Sequence, residues 1–126
     1  MKRAFANILS DNVDETANFY QDLLGMTRHF DFGWFVILTH PQLPTLEFGI
    51  LDRSNEIVPP ECATPPGGVI VTFVVDDVDV CHGRAKGMQA QILEPPTDMP
   101  YGQRRMLIRD PEGTVVDVSS PTASAV

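Results

Sequence analysis

DNVDETANFYQDLLGM, residues Asp11–Met26, is a segment whose grammar returns at Val75–Met88, VDDVDVCHGRAKGM. In both, an apolar strand-like run ends in an Asx pair (Asp11-Asn12, Asp76-Asp77), and Val-Asp follows (Val13-Asp14, Val78-Asp79). A helix-length segment then stops at Gly-Met (Gly25-Met26, Gly87-Met88). From the first Asp to the Gly the spacing is fourteen residues in one copy and eleven in the other, so the second helix is shorter by about one turn. One supersecondary unit used twice in a short chain implies a pseudo-two-fold arrangement, with function expected where the copies meet.

Working outward, Asn12 is a good N-cap and Glu15 completes a capping box. Val13, Ala17, Tyr20, Leu23 and Leu24 recur at helical spacing, and Gly25 supplies the stop. Phe5–Ser10 reads as the strand before this helix. Met26–Phe32, Trp34–Thr39 and Leu46–Leu51 read as three strands after it, separated by turns at Asp31-Phe32-Gly33 and His40–Pro44. Residues 1–52 thus form a βαβββ unit. Residues 53–68 are a Pro-rich linker, partly extended.

Val69–Val75 (VIVTFVV) is a continuous β-branched and aromatic run, expected to be buried on both faces. The second helix, about Val78–Lys86, contains the poor helix formers Cys81, His82 and Gly83. Gln89–Leu93 is a strand, Glu94–Tyr101 a Pro-rich loop, and Gln103–Arg109 with Thr114–Ser119 a hairpin around Asp110–Gly113. Residues 69–120 repeat the βαβββ order, and residues 121–126 form a flexible tail. The fold class is α+β, one domain of two βαβββ units whose curved mixed sheets line a cleft.

The chain has 126 residues, 43% of them hydrophobic and 21% charged, as expected of one soluble globular domain. A net charge of −8 argues against nucleic acid or an anionic membrane as partner, since both demand cationic surface. It leaves room for a cationic ligand, although solvated acidic surface is the plainer reading. Cys62 and Cys81 have no metal- or redox-type spacing, so free thiols are expected. The sequence holds neither a long apolar h-region nor a run of about 18 apolar residues, which points to a cytoplasmic protein.

Paired βαβββ units resemble the vicinal oxygen chelate superfamily, which includes glyoxalases, ring-cleaving dioxygenases, epimerases and bleomycin-resistance binding proteins. The resemblance is carried by Phe19-Tyr20 with Leu24-Gly25-Met26, by Val75–Val78 (VDDV), and by Arg109–Gly113 (RDPEG) followed by Val115–Val118. It spans about residues 3–120 and implies a ligand cleft, with a homodimer as the common assembly.

The resemblance also implies four metal-ligand positions, on the first and last strands of each unit. Here they fall on Phe5, Glu47, Ile70 and Asp117. Two of these are hydrophobes, whereas a catalytic divalent site wants at least three protein ligands. A two-residue slip offers only Asn7 and Thr72, both weak donors. His29, His40 and His82 lie away from these positions and read as surface or packing histidines. Neither a metal nor another cofactor is expected.

Glu47 sits in an otherwise apolar strand, either as an edge carboxylate facing water or as an anchor for a cationic or hydrogen-bond-donating ligand. Desolvated, with its pKa raised, it would serve as a general base. If Arg109 pairs with Thr114, Asp117 lies opposite Met106 and Ser119 opposite Arg104. The inward face would then hold Arg104, Met106, Ile108, Val115, Asp117 and Ser119, with Arg104 neutralising Asp117. Phe30, Phe32, Trp34 and Phe35 are either ordinary core or, with Trp34 toward solvent, a stacking wall for a planar ligand. Tyr101 is a candidate rim residue, closing a loop of the kind that often moves. Ile70 and Phe5 would be apolar walls.

The leading reading is a metal-free small-molecule binding protein, similar to the antibiotic-sequestering branch, that holds an aromatic and polar or cationic ligand. The alternative is a glyoxalase-like lyase, isomerase or dioxygenase, with Glu47 as ligand or base. A third is an accessory protein for a metabolite or a carrier-bound peptide.

Overall fold

Asn12 opens the first helix as its sequence requires, accepting a hydrogen bond from the Glu15 N–H at 3.1 Å. Helix α1 (Val13–Leu24) ends at Gly25, which takes the left-handed φ of 72° and donates to Gln21 O at 2.9 Å. The computed structural model describes residues 1–122. Of the expected tail, Pro121 closes the last strand, Thr122 follows it, and the rest lies outside the described residues.

Around α1 stand strands β1 (Asn7–Ser10), β2 (Thr27–Asp31), β3 (Phe35–His40) and β4 (Leu43–Asp52). They form a sheet in the order β1-β4-β3-β2, with β1 parallel to β4 and the other pairs antiparallel. Ile8, Val36, Leu38, Phe48 and Ile50 share the face that meets α1, and all are buried. The full expected apolar stripe of the helix is buried as well. The Ser10 and Thr16 hydroxyls, 3.0 Å apart, join β1 to α1. Arg28 joins β2 to α1 by donating to Gln21 at 2.8 Å, Asp14 at 2.7 Å and Asn18 at 3.0 Å.

The second sheet has the order β5-β8-β7-β6, from β5 (Ile70–Val74), β6 (Gln91–Asp98), β7 (Gln103–Arg109) and β8 (Val115–Pro121). Its helix α2 (Val78–Gly87) buries Val78, Cys81 and Ala85, and burial pushes the Cys81 thiol up, away from the reactive thiolate. Both cysteines are free. Among the described residues no helix is long and apolar enough to cross a membrane.

The repeated Gly-Met stops are not equivalent. Gly87 remains inside α2, and the left-handed residue is Gln89, at φ 57°. Ala90 N–H reaches back to Ala85 O at 3.0 Å, so backbone bonds close this helix without a glycine bend.

Two further expectations need correction. β5 is not buried on both faces: Ile70 and Val74 are 60% and 64% exposed, on the face they share with Thr72. Glu94–Asp98 belongs to β6, not to a loop. Its two prolines are tolerated on an edge strand, where the register shifts between Ile92 and Thr97. The stretch 53–68 follows a turn closed by Ser54 N–H on Asp52 Oδ1 and holds a 3-10 turn at Pro60–Cys62, and the two compact units of the chain divide after Pro66.

Candidate functional site

Strand alternation sets Glu47 on the face of the first sheet turned away from α1, with Asn7, Leu9, Phe35, Ile37, Gly49 and Leu51. Asn7 folds across Gly49, since a Cβ there would lie 2.0 Å from Asn7 Oδ1. Its amide is thus committed to covering the strand. Arg3, in the segment before β1, grips Glu47 with both arms of its guanidinium, Nε meeting Oε2 at 2.5 Å and a terminal nitrogen meeting Oε1. The same guanidinium lies 4.8 Å over the Phe5 ring centroid. Hydrogen bonds from Arg3 hold the Glu47 carboxyl below its ordinary range, against a smaller opposing effect of burial, and the charges of Arg3 and His29 add to the lowering. This is the reverse of what a general base requires. Glu47 is a carboxylate already bound to a cation.

His29 begins a chain of rings on the same unit. It meets Phe30 edge-on at 4.7 Å, and Phe30 stacks on Phe32 at 6.1 Å and 8°. Phe32 then leads to Trp34 at 6.5 Å, and Trp34 to Phe35 at 5.9 Å. Phe30, Phe32 and Trp34 are exposed, so the run is not ordinary core. The β2–β3 turn makes it possible: Asp31 accepts from Gly33 N–H at 2.8 Å, and Gly33 takes φ 81°.

In the second unit, Arg109 pairs with Val115, not with Thr114. Every face assignment on β7 therefore moves by one residue. Asp117 lies opposite Leu107, and Ser119 opposite Arg105. Arg104 and Met106 are not on the Asp117 face. Met106 is fully buried on the α2 side, and Arg104 binds Asp79 of α2 at 3.1 Å and Asp98 at 3.2 Å. Arg105 takes the place expected for Arg104, and no residue-level signal beyond the register itself separates the two.

Ile70, Thr72 and Asp117 share that face, and Thr72 Oγ1 donates to Asp117 Oδ2 at 3.1 Å. Arg105 reaches Glu94 at 3.3 Å. Burial pulls the guanidinium pKa down, but Glu94 and Asp117 carry it above its ordinary value overall. Arg105 Nε, Asp117 Oδ1 and Gln103 Oε1 are buried without a hydrogen-bond partner. Tyr101 is exposed in the β6–β7 connection.

A sequence model of the Glyoxalase/Bleomycin resistance protein/Dioxygenase superfamily matches residues 3–118. The chain belongs to this superfamily. Within the superfamily fold, a structure from Burkholderia phytofirmans PsJN superimposes with a TM-score of 0.77 at 20% identity, covering 93% of this chain and 96% of that one. One from Sphaerobacter thermophilus gives 0.76 at 23% identity, covering 95% and 97%. "Putative glyoxylase CFP32" of Mycobacterium tuberculosis is 26% identical over 114 residues, 90% of this chain. The chain spans 42% of the length of that relative.

Superfamily resemblance implies a metal, and the residues at its four positions do not fit one. Phe5 and Ile70 offer only carbon, Glu47 is occupied by Arg3, and Asp117 is bonded to Thr72. Among the described residues no three His, Cys, Asp or Glu side chains come together as a ligand set. His40 is engaged elsewhere, with Nε2 3.0 Å from Leu24 O and Nδ1 accepting from Gln42 N–H at 3.1 Å.

Proposed function

We propose that the chain is a small-molecule binding protein of this superfamily that sequesters an aromatic ligand without a metal, an antibiotic or a metabolite of that shape. The observation that carries this reading is the run of rings from His29 to Phe35, exposed at Phe30, Phe32 and Trp34. Exposed aromatic faces gain most when a flat apolar partner covers them, and the nearby Glu47 supplies a polar anchor. Sequestration needs affinity alone, so a Glu47 held as an ordinary carboxylate suits it.

Trp34 is the chain's one tryptophan, and its fluorescence reports this surface directly. Titration with quinoline and 2-naphthol in the presence of EDTA should give saturable quenching. Phe32→Ala should weaken binding about two- to thirteenfold, the worth of one ring pair at about 0.5–1.5 kcal/mol. Absence of saturation with either compound, or its loss in EDTA, contradicts the reading.

The similarity to a protein named a glyoxylase favours a second reading, a lyase or isomerase of the glyoxalase type. It would require Glu47 to be released from Arg3 before acting as ligand or base.

A further inference from the structure

We infer that Arg3 is a built-in competitor at the Glu47 seat, and that the seat takes a planar guanidinium or amidinium cation. The inference rests on the binding reading above and names the chemistry of its polar anchor.

The chain's own residues show what the seat recognises. Glu47 presents both carboxylate oxygens to one guanidinium, the fork-to-fork arrangement that a planar cation with parallel N–H groups satisfies best. Phe5 supplies a ring face at 4.8 Å from the guanidinium carbon, inside the range of about 6 Å at which a cation is attracted to an aromatic face. A carboxylate at the side and a ring beneath make a seat for a flat cation. The position that would otherwise carry a metal ligand, Phe5, contributes the ring.

The occupant is easily exchanged. Arg3 precedes β1 and belongs to no strand. Its side chain is 51% exposed, whereas that of Glu47 is 15% exposed. The carboxylate is thus the fixed, sheltered part and the arginine the movable, wet one. An exposed ion pair is weak against water and salt, so a ligand cation can take its place. His29 interacts electrostatically with Glu47, and its ring opens the aromatic run. An aryl group on the entering cation would extend along that run. Because only the fraction of molecules with Arg3 displaced can bind, the apparent affinity is lowered by that fraction.

Calorimetric titration with phenylguanidine, and with phenylurea as its neutral isostere, tests this in the wild-type chain and in Arg3→Ala. If Arg3 is seated about nine-tenths of the time, its removal tightens phenylguanidine binding about tenfold. Phenylurea binding should not change. Adding Glu47→Gln to Arg3→Ala should abolish the gain. The thermal midpoint of each variant, measured alongside, establishes that it is folded.

The inference is overturned if Arg3→Ala binds phenylguanidine no more tightly than wild type. It is equally overturned if phenylurea gains as much, or if the gain survives Glu47→Gln. When either happens while 2-naphthol still quenches Trp34, the cation seat is wrong and the aromatic site stands. If no aromatic compound binds any variant, the binding reading itself is wrong and the inference goes with it.

Discussion

Tyr20→Ala should lower stability by about 3–5 kcal/mol, the usual cost of emptying a large aromatic site. Tyr20 is wholly inaccessible, with its ring 5.1 Å from Phe19 and 4.9 Å from Phe48, both in edge-on geometry. The contact with Phe48 holds α1 to β4, an inner strand of its sheet. A sheet strand and a helix cannot both move inward to fill the gap, because β4 is hydrogen-bonded on both sides. For a chain of this length the thermal midpoint should fall by about 10–20 °C. Scanning calorimetry reads it, with Val80→Ala on α2, half exposed at 50%, as a control expected within about 0.5 kcal/mol of wild type. A drop for Tyr20→Ala no larger than the control's would mean that α1 is not anchored through this ring.

Tyr20 also shows which parts of the molecule were legible in the sequence. Its burial followed from helical spacing with Val13, Ala17, Leu23 and Leu24, and both ends of α1 were marked by Asn12 and Gly25. Such signals are local, complete within a few residues and independent of what packs against them. The repeated βαβββ order was legible for the same reason, since each unit carries its own turns and caps. The family resemblance agreed with it, and the match over residues 3–118 bears it out.

What depended on pairing partners was harder to read. VIVTFVV looks like a fully buried strand, but its composition does not say which of its faces is covered, and Ile70 and Val74 lie on the exposed one. Pro95 and Pro96 look like loop residues, yet an edge strand has a side on which a missing N–H costs nothing. Arg3 carried no signal at all. Its meeting with Glu47 spans 44 residues of sequence and exists only because β1 pairs with β4. The exposed ring run was half visible: Phe30, Phe32, Trp34 and Phe35 read as either core or a stacking wall, and nothing local said whether they would be covered.

Asp110→Ala should be the most damaging polar substitution, costing about 2–4 kcal/mol, because each buried donor left unsatisfied costs about 1–3 kcal/mol. Asp110 is 5% exposed, and its Oδ1 accepts from Glu112 N–H and Thr114 N–H, each at 2.9 Å. Its own N–H donates to Thr114 O at 2.9 Å. The two bonds to Thr114 draw it into the turn, so the ladder begins at Arg109 and Val115, one residue later than simple hairpin counting gives. Asp110 therefore decides that Asp117 faces with Arg105 and Leu107, away from Arg104 and Met106. A side chain with the same acceptor in the same place should keep most of this, so Asp110→Asn is expected to stay within about 1 kcal/mol of wild type, the net worth of a typical hydrogen bond. Urea unfolding gives the stabilities, and amide hydrogen exchange across Val115–Ser119 gives the integrity of the ladder. Equal damage from Asn and Ala would show that the negative charge, not the acceptor geometry, holds the turn. An undamaged alanine variant would show that Pro111 and the left-handed Gly113, at φ 88°, set the register through the backbone alone.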